Sequence, residues 1–176
     1  MKRLLICLLA ICIGYMANAQ IQTKFWGLEL SKRYTSLTAA NSIISDRCSF
    51  STIIDNNIIE ANNGTLGGYD WGTICFYFCK DGIYQALYSA GFASRHEYLY
   101  EARDKYQKVL NSLTSKYGDG IRINDLGIES KGWIDESRKY LCTLTIVKQD
   151  TAWYVTLVYN DQDLVTYYQE QQENEL

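Results

Sequence analysis

The sequence predicts an α+β fold, in which a mostly antiparallel twisted sheet is packed by one long helix (about residues 94–117) and one short helix (about residues 36–47). The 176 residues are 47% hydrophobic and 21% charged, which is enough for one domain with a core. Four Trp, fifteen Tyr and five Phe favour a sheet over a helical bundle. Strand patterns occur in runs between the helices, and this order disfavours a parallel, doubly wound sheet.

The first 19 residues have the layout of a secretory signal peptide. Lys2 and Arg3 precede an apolar run over residues 4–16, and the small-x-small motif of residues 17–19 stands before Gln20. The apolar run is too short for an ordinary membrane span. We therefore expect an exported protein, periplasmic or extracellular, with no integral membrane span after signal cleavage.

A lipoprotein signal is the alternative, in which Cys7 or Cys12 becomes the lipidated residue. Each of these cysteines follows a bulky Ile, where a small residue is needed. The soluble exported product is therefore favoured.

The mature chain is mildly acidic. Cleavage removes Lys2 and Arg3 and leaves 15 basic and 20 acidic residues, a net charge of −5. No cluster of Lys and Arg offsets this charge, so binding to nucleic acid or anionic lipid is not expected.

The first half of the mature chain is predicted to form a strand over residues 25–30, a helix over residues 36–47 and a hairpin. The helix has Leu37, Ala40, Ile43 and Ile44 at helical spacing. The hairpin joins residues 50–54 and 58–61 through Asp55-Asn56-Asn57, because Asn tolerates a left-handed backbone. The glycine-containing stretch over residues 62–68 is predicted as a loop.

A second hairpin joins residues 71–79 and 83–92 through the preferred turn Asp81-Gly82. This turn places Phe76 opposite Leu87 and Cys75 opposite Tyr88. One face then collects four aromatic residues that are our candidate ligand-binding residues, namely Trp71, Tyr77, Tyr84 and Tyr88. An exposed face of this kind suits sugar rings or a protein partner. Burial as a second core is favoured, since Cys75 and Cys79 share the face.

The long helix begins with a capping box, Ser94 to Glu97, and ends where Gly118 supplies a left-handed cap. Its apolar residues repeat at intervals of three and four, which predicts a helix lying on a sheet.

The last part of the chain contains a short strand over residues 121–123, a polar connection that includes Trp133, and a third hairpin over residues 140–148 and 152–159. A turn at Gln149-Asp150 puts Ile146, Leu144 and Cys142 on one face. Residues 164–168 are predicted to form a helical turn and residues 169–176 a polar tail. Residues 20–168 therefore form the expected single domain.

Four cysteines remain after signal cleavage, and export to an oxidising compartment suggests up to two disulfides. The candidates are Cys48, Cys75, Cys79 and Cys142. Cys75 and Cys79 lie about 13 Å apart along one strand, beyond the limit of about 7 Å for Cα atoms. Cys48 is therefore expected to pair with Cys75 or Cys79. A zinc site of Cys48, Cys75, Cys79 and His96 lacks the usual CxxC loop, so no metal and no cofactor are expected.

Several segments resemble small exported proteins of unknown function from Gram-negative gut bacteria. They are Ala17-Asn18-Ala19-Gln20, Phe25-Trp26-Gly27-Leu28-Glu29-Leu30, Trp71-Gly72-Thr73-Ile74-Cys75-Phe76 and Leu113-Thr114-Ser115-Lys116-Tyr117-Gly118. The resemblance implies a secreted α+β domain and carries no activity and no functional residues.

Catalytic constellations are weak in this sequence. His96 is the single histidine, and in the first turn of a helix its cationic form would oppose the helix dipole. The acidic residues Glu97, Glu101 and Asp104 are spaced like a solvated helix face. Asp161-Gln162-Asp163 is better suited to capping a helix or a turn than to binding calcium.

We therefore expect a non-catalytic binding or interaction domain whose partner is a protein, peptide or glycan of the cell envelope. The alternative is a small cell-envelope hydrolase that uses His96 or acidic residues. The absence of the usual polar constellations favours the first expectation.

Overall fold

The computed structural model describes residues 20–93, 96–125 and 128–174, and it confirms the α+β fold with a long and a short helix. The expected signal peptide and its two cysteines lie outside the described residues. Ser94 and the side chains of His96 and Glu97 lie outside them too, so the capping box and any role of His96 stay predictions.

The described residues form ten strands and three α-helices. The strands are β1 (Lys24–Phe25), β2 (Leu28–Glu29), β3 (Phe50–Ile54), β4 (Ile58–Leu66), β5 (Tyr69–Cys79), β6 (Gly82–Ala93), β7 (Ile121–Asp125), β8 (Ile128–Ile134), β9 (Tyr140–Gln149) and β10 (Ala152–Asp161). The helices are α1 (Leu37–Ile44), α2 (His96–Tyr117) and α3 (Gln162–Asn174), and a 3-10 turn at Ser45–Arg47 extends α1.

Strands β3 to β10 form one antiparallel sheet in the order β3-β4-β5-β6-β10-β9-β8-β7. Each half of this sheet is a helix followed by a four-stranded meander: α1 precedes β3 to β6, and α2 precedes β7 to β10. The two meanders join through their last strands, β6 and β10. The molecule is therefore built from two similar halves related by an approximate two-fold axis between these strands.

One face of the sheet, which we call the core face, is covered by α2 and the N-terminal segment. Residues of α2 that repeat at helical spacing are buried against it, including Ala102, Tyr106, Val109 and Leu113. The ring of Phe25 lies 4.7 Å from that of Tyr159. Gly118 has a φ of 78°, the left-handed cap that the sequence predicted. The opposite surface, which we call the open face, is covered at one end by α3.

Four details of the chain path differ from the prediction. Residues 25–30 form the small hairpin β1–β2 instead of a strand of the main sheet. The predicted loop over residues 62–68 belongs to β4 up to Leu66, and the turn is confined to Gly67 and Gly68, both at positive φ. Trp133 lies in strand β8 and donates a hydrogen bond from Nε1 to the Gly118 carbonyl. Residues 169–174 continue helix α3, so the predicted polar tail is helical there.

The expected disulfides are wrong, since all four cysteines of the described chain are free. Cys48 precedes the edge strand β3, which β4 separates from β5, and two strand spacings come to about 10 Å. This exceeds the Cα separation of about 7 Å that a disulfide allows. Cys142 is buried on the core face, where burial raises the pKa of its thiol to about 12.

Among the described residues, no helix has the length and apolar character needed to cross a membrane.

Candidate functional site

The four aromatic residues proposed as a binding surface do not share one face. Trp71 and Tyr88 are 1% and 0% exposed on the core face, with ring centroids 5.9 Å apart. Tyr77 and Tyr84 lie on the open face, 6.0 Å apart, where Tyr84 is buried and Tyr77 is half-buried. The four candidate ligand-binding residues therefore do not form one platform, and three of them are buried, as the favoured interpretation expected.

A cleft lies at the end of the sheet next to Tyr84. It encloses about 530 Å³ between the chain after β2, the β3–β4 turn, the β5–β6 turn and α3. Its lining is Arg33, Tyr34, Ser36, Leu37, Asp55, Asn56, Asn57, Phe78, Cys79, Lys80, Gly82 and Tyr168. This volume falls within the range of roughly 300–1,000 Å³ that is usual for small-molecule sites.

The β3–β4 turn gives the cleft one polar wall. Asp55 and Asn56 hold φ angles of 50° and 57°, a left-handed backbone that Asn and Asp tolerate better than most residues. Asn57 follows them and donates a hydrogen bond from Nδ2 to the Tyr168 hydroxyl at 3.2 Å. Its amide oxygen is buried without a hydrogen-bond partner among the described residues, which leaves one acceptor of the wall unused.

Helix α3 closes the cleft through Tyr168. The ring of Tyr168 stacks on that of Tyr84, with centroids 5.0 Å apart and planes at 20°. Burial, followed by the phenols of Tyr168 and Tyr77, raises the pKa of Tyr84 to about 12. The Tyr84 phenol is thus neutral at ordinary pH, and the stacked ring of Tyr168 presents an aromatic surface beside the amides of the turn.

The opposite wall is apolar and aromatic. The Tyr34 and Phe78 rings meet edge to face, with centroids 6.3 Å apart and planes at 78°. The Tyr34 hydroxyl accepts a hydrogen bond from the backbone N–H of Glu29 at 2.8 Å. Burial raises the pKa of Tyr34, so this phenol too stays protonated.

Charges around the cleft balance. The Arg33 guanidinium forms an ion pair with the Asp81 carboxylate at the rim. Lys80 and Asp55 contribute one further charge of each sign to the lining. Because the positive and negative charges are equal in number, the cleft offers hydrogen bonds and aromatic surfaces but no net electrostatic potential that would favour an ionic ligand.

A buried carboxylate fixes the helix that closes the cleft. Asp161 is 0% exposed, and its Oδ1 accepts hydrogen bonds from the backbone N–H of Asp163 and Leu164 at 3.0 and 3.1 Å. Its Oδ2 accepts a hydrogen bond from the Ser31 hydroxyl and lies 3.7 Å from Lys139 Nζ. The predicted capping role of Asp161 is confirmed. No local pattern predicted the contact with Ser31, whose φ is 64°.

The acidic residues considered for catalysis do not form a cluster in the described part of the chain. Glu101 and Asp104 lie on the exposed side of α2, and Asp104 forms an ion pair with Lys108 at 2.6 Å. Among the described residues, no group of three or more His, Cys, Asp and Glu side chains is placed to hold a metal ion.

Comparison with protein-family models, curated proteins and solved structures finds no match to this chain. The cleft must therefore be interpreted from its own chemistry. It combines amide donors and acceptors, hydroxyls and two aromatic walls, and it lacks a nucleophile paired with a base among the described side chains.

Proposed function

We propose that the chain is an exported, non-catalytic binding domain of the cell envelope that takes a neutral, hydroxyl-rich ligand, a small glycan, in the cleft. The lining of the cleft is the observation that carries this proposal. The leader-like sequence over residues 1–19 supports the export, and the resemblance to small exported proteins agrees with it.

The chemistry of the lining favours a glycan over a peptide or an ion. Sugar hydroxyls need both donors and acceptors, which Asn56, Asn57 and Ser36 supply. The C–H faces of a sugar ring pack on aromatic rings, which Tyr34 and Tyr168 supply. A charged ligand would need an excess of one sign, whereas the charged residues of the cleft and its rim balance.

Asn57 is the proposed point of closest recognition, because it lines the cleft and its amide oxygen has no hydrogen-bond partner among the described residues. A buried acceptor without a partner carries a cost of about 1–3 kcal/mol, and a ligand hydroxyl that donates to it would remove this cost. Since the same side chain donates to Tyr168, occupation of the cleft is expected to change the packing of α3 on Tyr84.

The test is titration of the mature chain, beginning at Gln20, with neutral mono- and oligosaccharides, followed by the amide and methyl signals in NMR spectra. Binding in the cleft should shift signals of residues 55–57, 78–82 and 168, and Asn57→Ala should weaken binding about tenfold or more. Asn41→Ala is the matched control, because the Asn41 amide oxygen is also buried without a partner but lies on α1 outside the cleft lining. Shifts confined to another surface, or equal losses for the two variants, would refute the proposal.

Export is tested separately. The protein released from the cell should begin at Gln20 by mass spectrometry of its N-terminal peptide, whereas lipid attached at Cys7 or Cys12 would contradict the soluble product.

A further inference from the structure

A row of small, uncharged side chains runs across all eight strands on the open face. In sheet order from β3 to β7 it consists of Phe50, Asn62, Thr73, Ser89, Thr156, Thr145, Ser130 and Ile123. We call it the hydroxyl row, because its five central positions from β5 to β8 are Thr or Ser.

The adjacent row on the same face lies two residues further along each strand and contains a single charged side chain. It consists of Thr52, Glu60, Cys75, Leu87, Val158, Thr143, Gly132 and Ile121. Glu60 is the single charged side chain in the two rows, all of whose residues are described. Charged residues usually occupy a solvent-facing surface of a sheet, so their near absence here is a feature of an interface.

Three of the five central hydroxyls have no hydrogen-bond partner among the described residues. Ser130 and Thr145 bond to each other at 2.9 Å, but the half-buried hydroxyls of Thr73, Ser89 and Thr156 have no partner there. A row of free hydroxyls beside Leu87 and Val158 can accept and donate across an interface while apolar neighbours exclude water.

The two ends of the hydroxyl row are exposed and apolar. Phe50 is 61% exposed at one end, Ile123 is 40% exposed at the other, and Ile121 beside it is 67% exposed. Counted from either end, the row consists of one apolar residue, one small polar residue and two residues with hydroxyl groups. The centre of the row lies between Ser89 and Thr156. This centre lies between β6 and β10, where the approximate two-fold axis of the two halves also passes.

We propose that the open face is an interface between two copies of this chain, which pack sheet to sheet about a two-fold axis near Ser89 and Thr156. The two ends of the hydroxyl row carry similar side chains. A two-fold rotation places the Phe50 end of one copy against the Ile123 end of the other, so that apolar residues meet apolar residues. A second copy brings the same rows, in which Glu60 is the single charged side chain, so few like charges meet across the contact.

The area is sufficient for a dimer of modest affinity. Eight strands span about 34 Å, and two to three rows span about 14–20 Å, which gives roughly 500–700 Å² per copy. A pair therefore buries roughly 1,000–1,400 Å², near the lower limit for specific interfaces. The two rows share no residue with the lining of the cleft.

Sedimentation velocity of the mature chain over about 5–500 μM tests the proposal, since a small interface predicts a dissociation constant in the micromolar range. Thr156→Lys places two like charges near the axis and should raise the dissociation constant about tenfold or more. Ser112→Lys adds the same charge on the exposed side of α2 and should leave the dissociation constant unchanged.

Methyl NMR signals of the unaltered protein provide the second measurement, which does not depend on the folding of a variant. The Thr73, Thr145 and Thr156 methyl groups should shift with protein concentration, while methyl groups of Leu110 on α2 should not. A monomer throughout the concentration range would overturn the proposal. Equal weakening by the two lysine variants would do the same, as would concentration-dependent shifts confined to α2.

Discussion

Replacement of Asp161 by Ala should release the helix that closes the cleft. The side chain caps α3 through two backbone N–H groups, and the loss of such a cap costs about 0.5–2 kcal/mol. It also accepts a hydrogen bond from Ser31, and a bond to a charged group contributes about 1.5–3 kcal/mol. The ion pair with Lys139 adds little, because the lysine side chain is partly exposed. The expected loss of unfolding free energy is about 3 kcal/mol.

Urea denaturation monitored by Trp fluorescence measures this loss. With a slope of about 2 kcal/mol per M, the midpoint should fall by about 1.5 M. Asp161→Asn keeps the cap acceptor and removes the charge, so it should lose about half as much.

Asp163→Asn is the control for the Asp161 variants. It removes the same charge from the same turn of α3, but Asp163 is exposed, and the change should stay within about 0.5 kcal/mol. If Asp161→Ala lowers the midpoint no more than Asp163→Asn does, the buried carboxylate does not fix α3 and the reasoning is wrong.

Three further predictions concern packing and titration. Gly64→Ala should lower the melting temperature by several degrees, because its Cβ would lie 2.1 Å from the Trp26 ring, whereas Gly72→Ala has its nearest neighbour at 3.8 Å and should be tolerated. Unfolding free energy should fall as pH rises from 9 towards 12, since the Cys142 thiol has a pKa of 9.0 in the unfolded chain and about 12 in the folded chain. The decline in unfolding free energy between pH 9 and 10 should be shallower in Cys142→Ala. Tyr88→Phe should leave thermal stability unchanged or raise it, because the Tyr88 hydroxyl is buried without a partner among the described residues, and a clear loss would indicate an unseen partner.

The two long hairpins show why the sequence predicts strands better than it predicts faces. The β9–β10 turn lies one residue away from the predicted position, which changes the register by two and keeps every side chain on its face. In β9–β10 the observed pair Leu144 and Leu157 replaces the predicted pair Leu144 and Val155, and all three face the core.

The β5–β6 hairpin contains one further residue that the pattern did not reveal. Tyr77 pairs with Gln85 while Phe78 pairs with Ile83, so Tyr84 is the extra residue of a β-bulge. The bulge changes the register by one residue, so Tyr88 lies on the core face and Leu87 on the open face. One inserted residue exchanges the two faces of a strand, and for this reason Tyr88 does not share a face with Tyr77.

The site itself depends on contacts that no local pattern contains. The cleft joins residues 33–37, 55–57, 78–82 and 168, which come together because β4, β5 and α3 end at one edge of the molecule. The turn residues Asp55 and Asn56 were predictable from their tolerance of a left-handed backbone. The contact of Asn57 with Tyr168 spans 111 positions and was not predictable, since no local pattern places helix α3 beside the β3–β4 turn.

The pairing of β6 with β10 also determines the order of events during synthesis. The first meander has all its strands once Ala93 has left the ribosome, but the strand that completes β6 starts at Ala152. At roughly 5–20 residues per second, the nascent chain exposes this edge for roughly 3–12 s. Throughout that interval the edge of β6 offers unpaired backbone groups with which another emerging chain can pair.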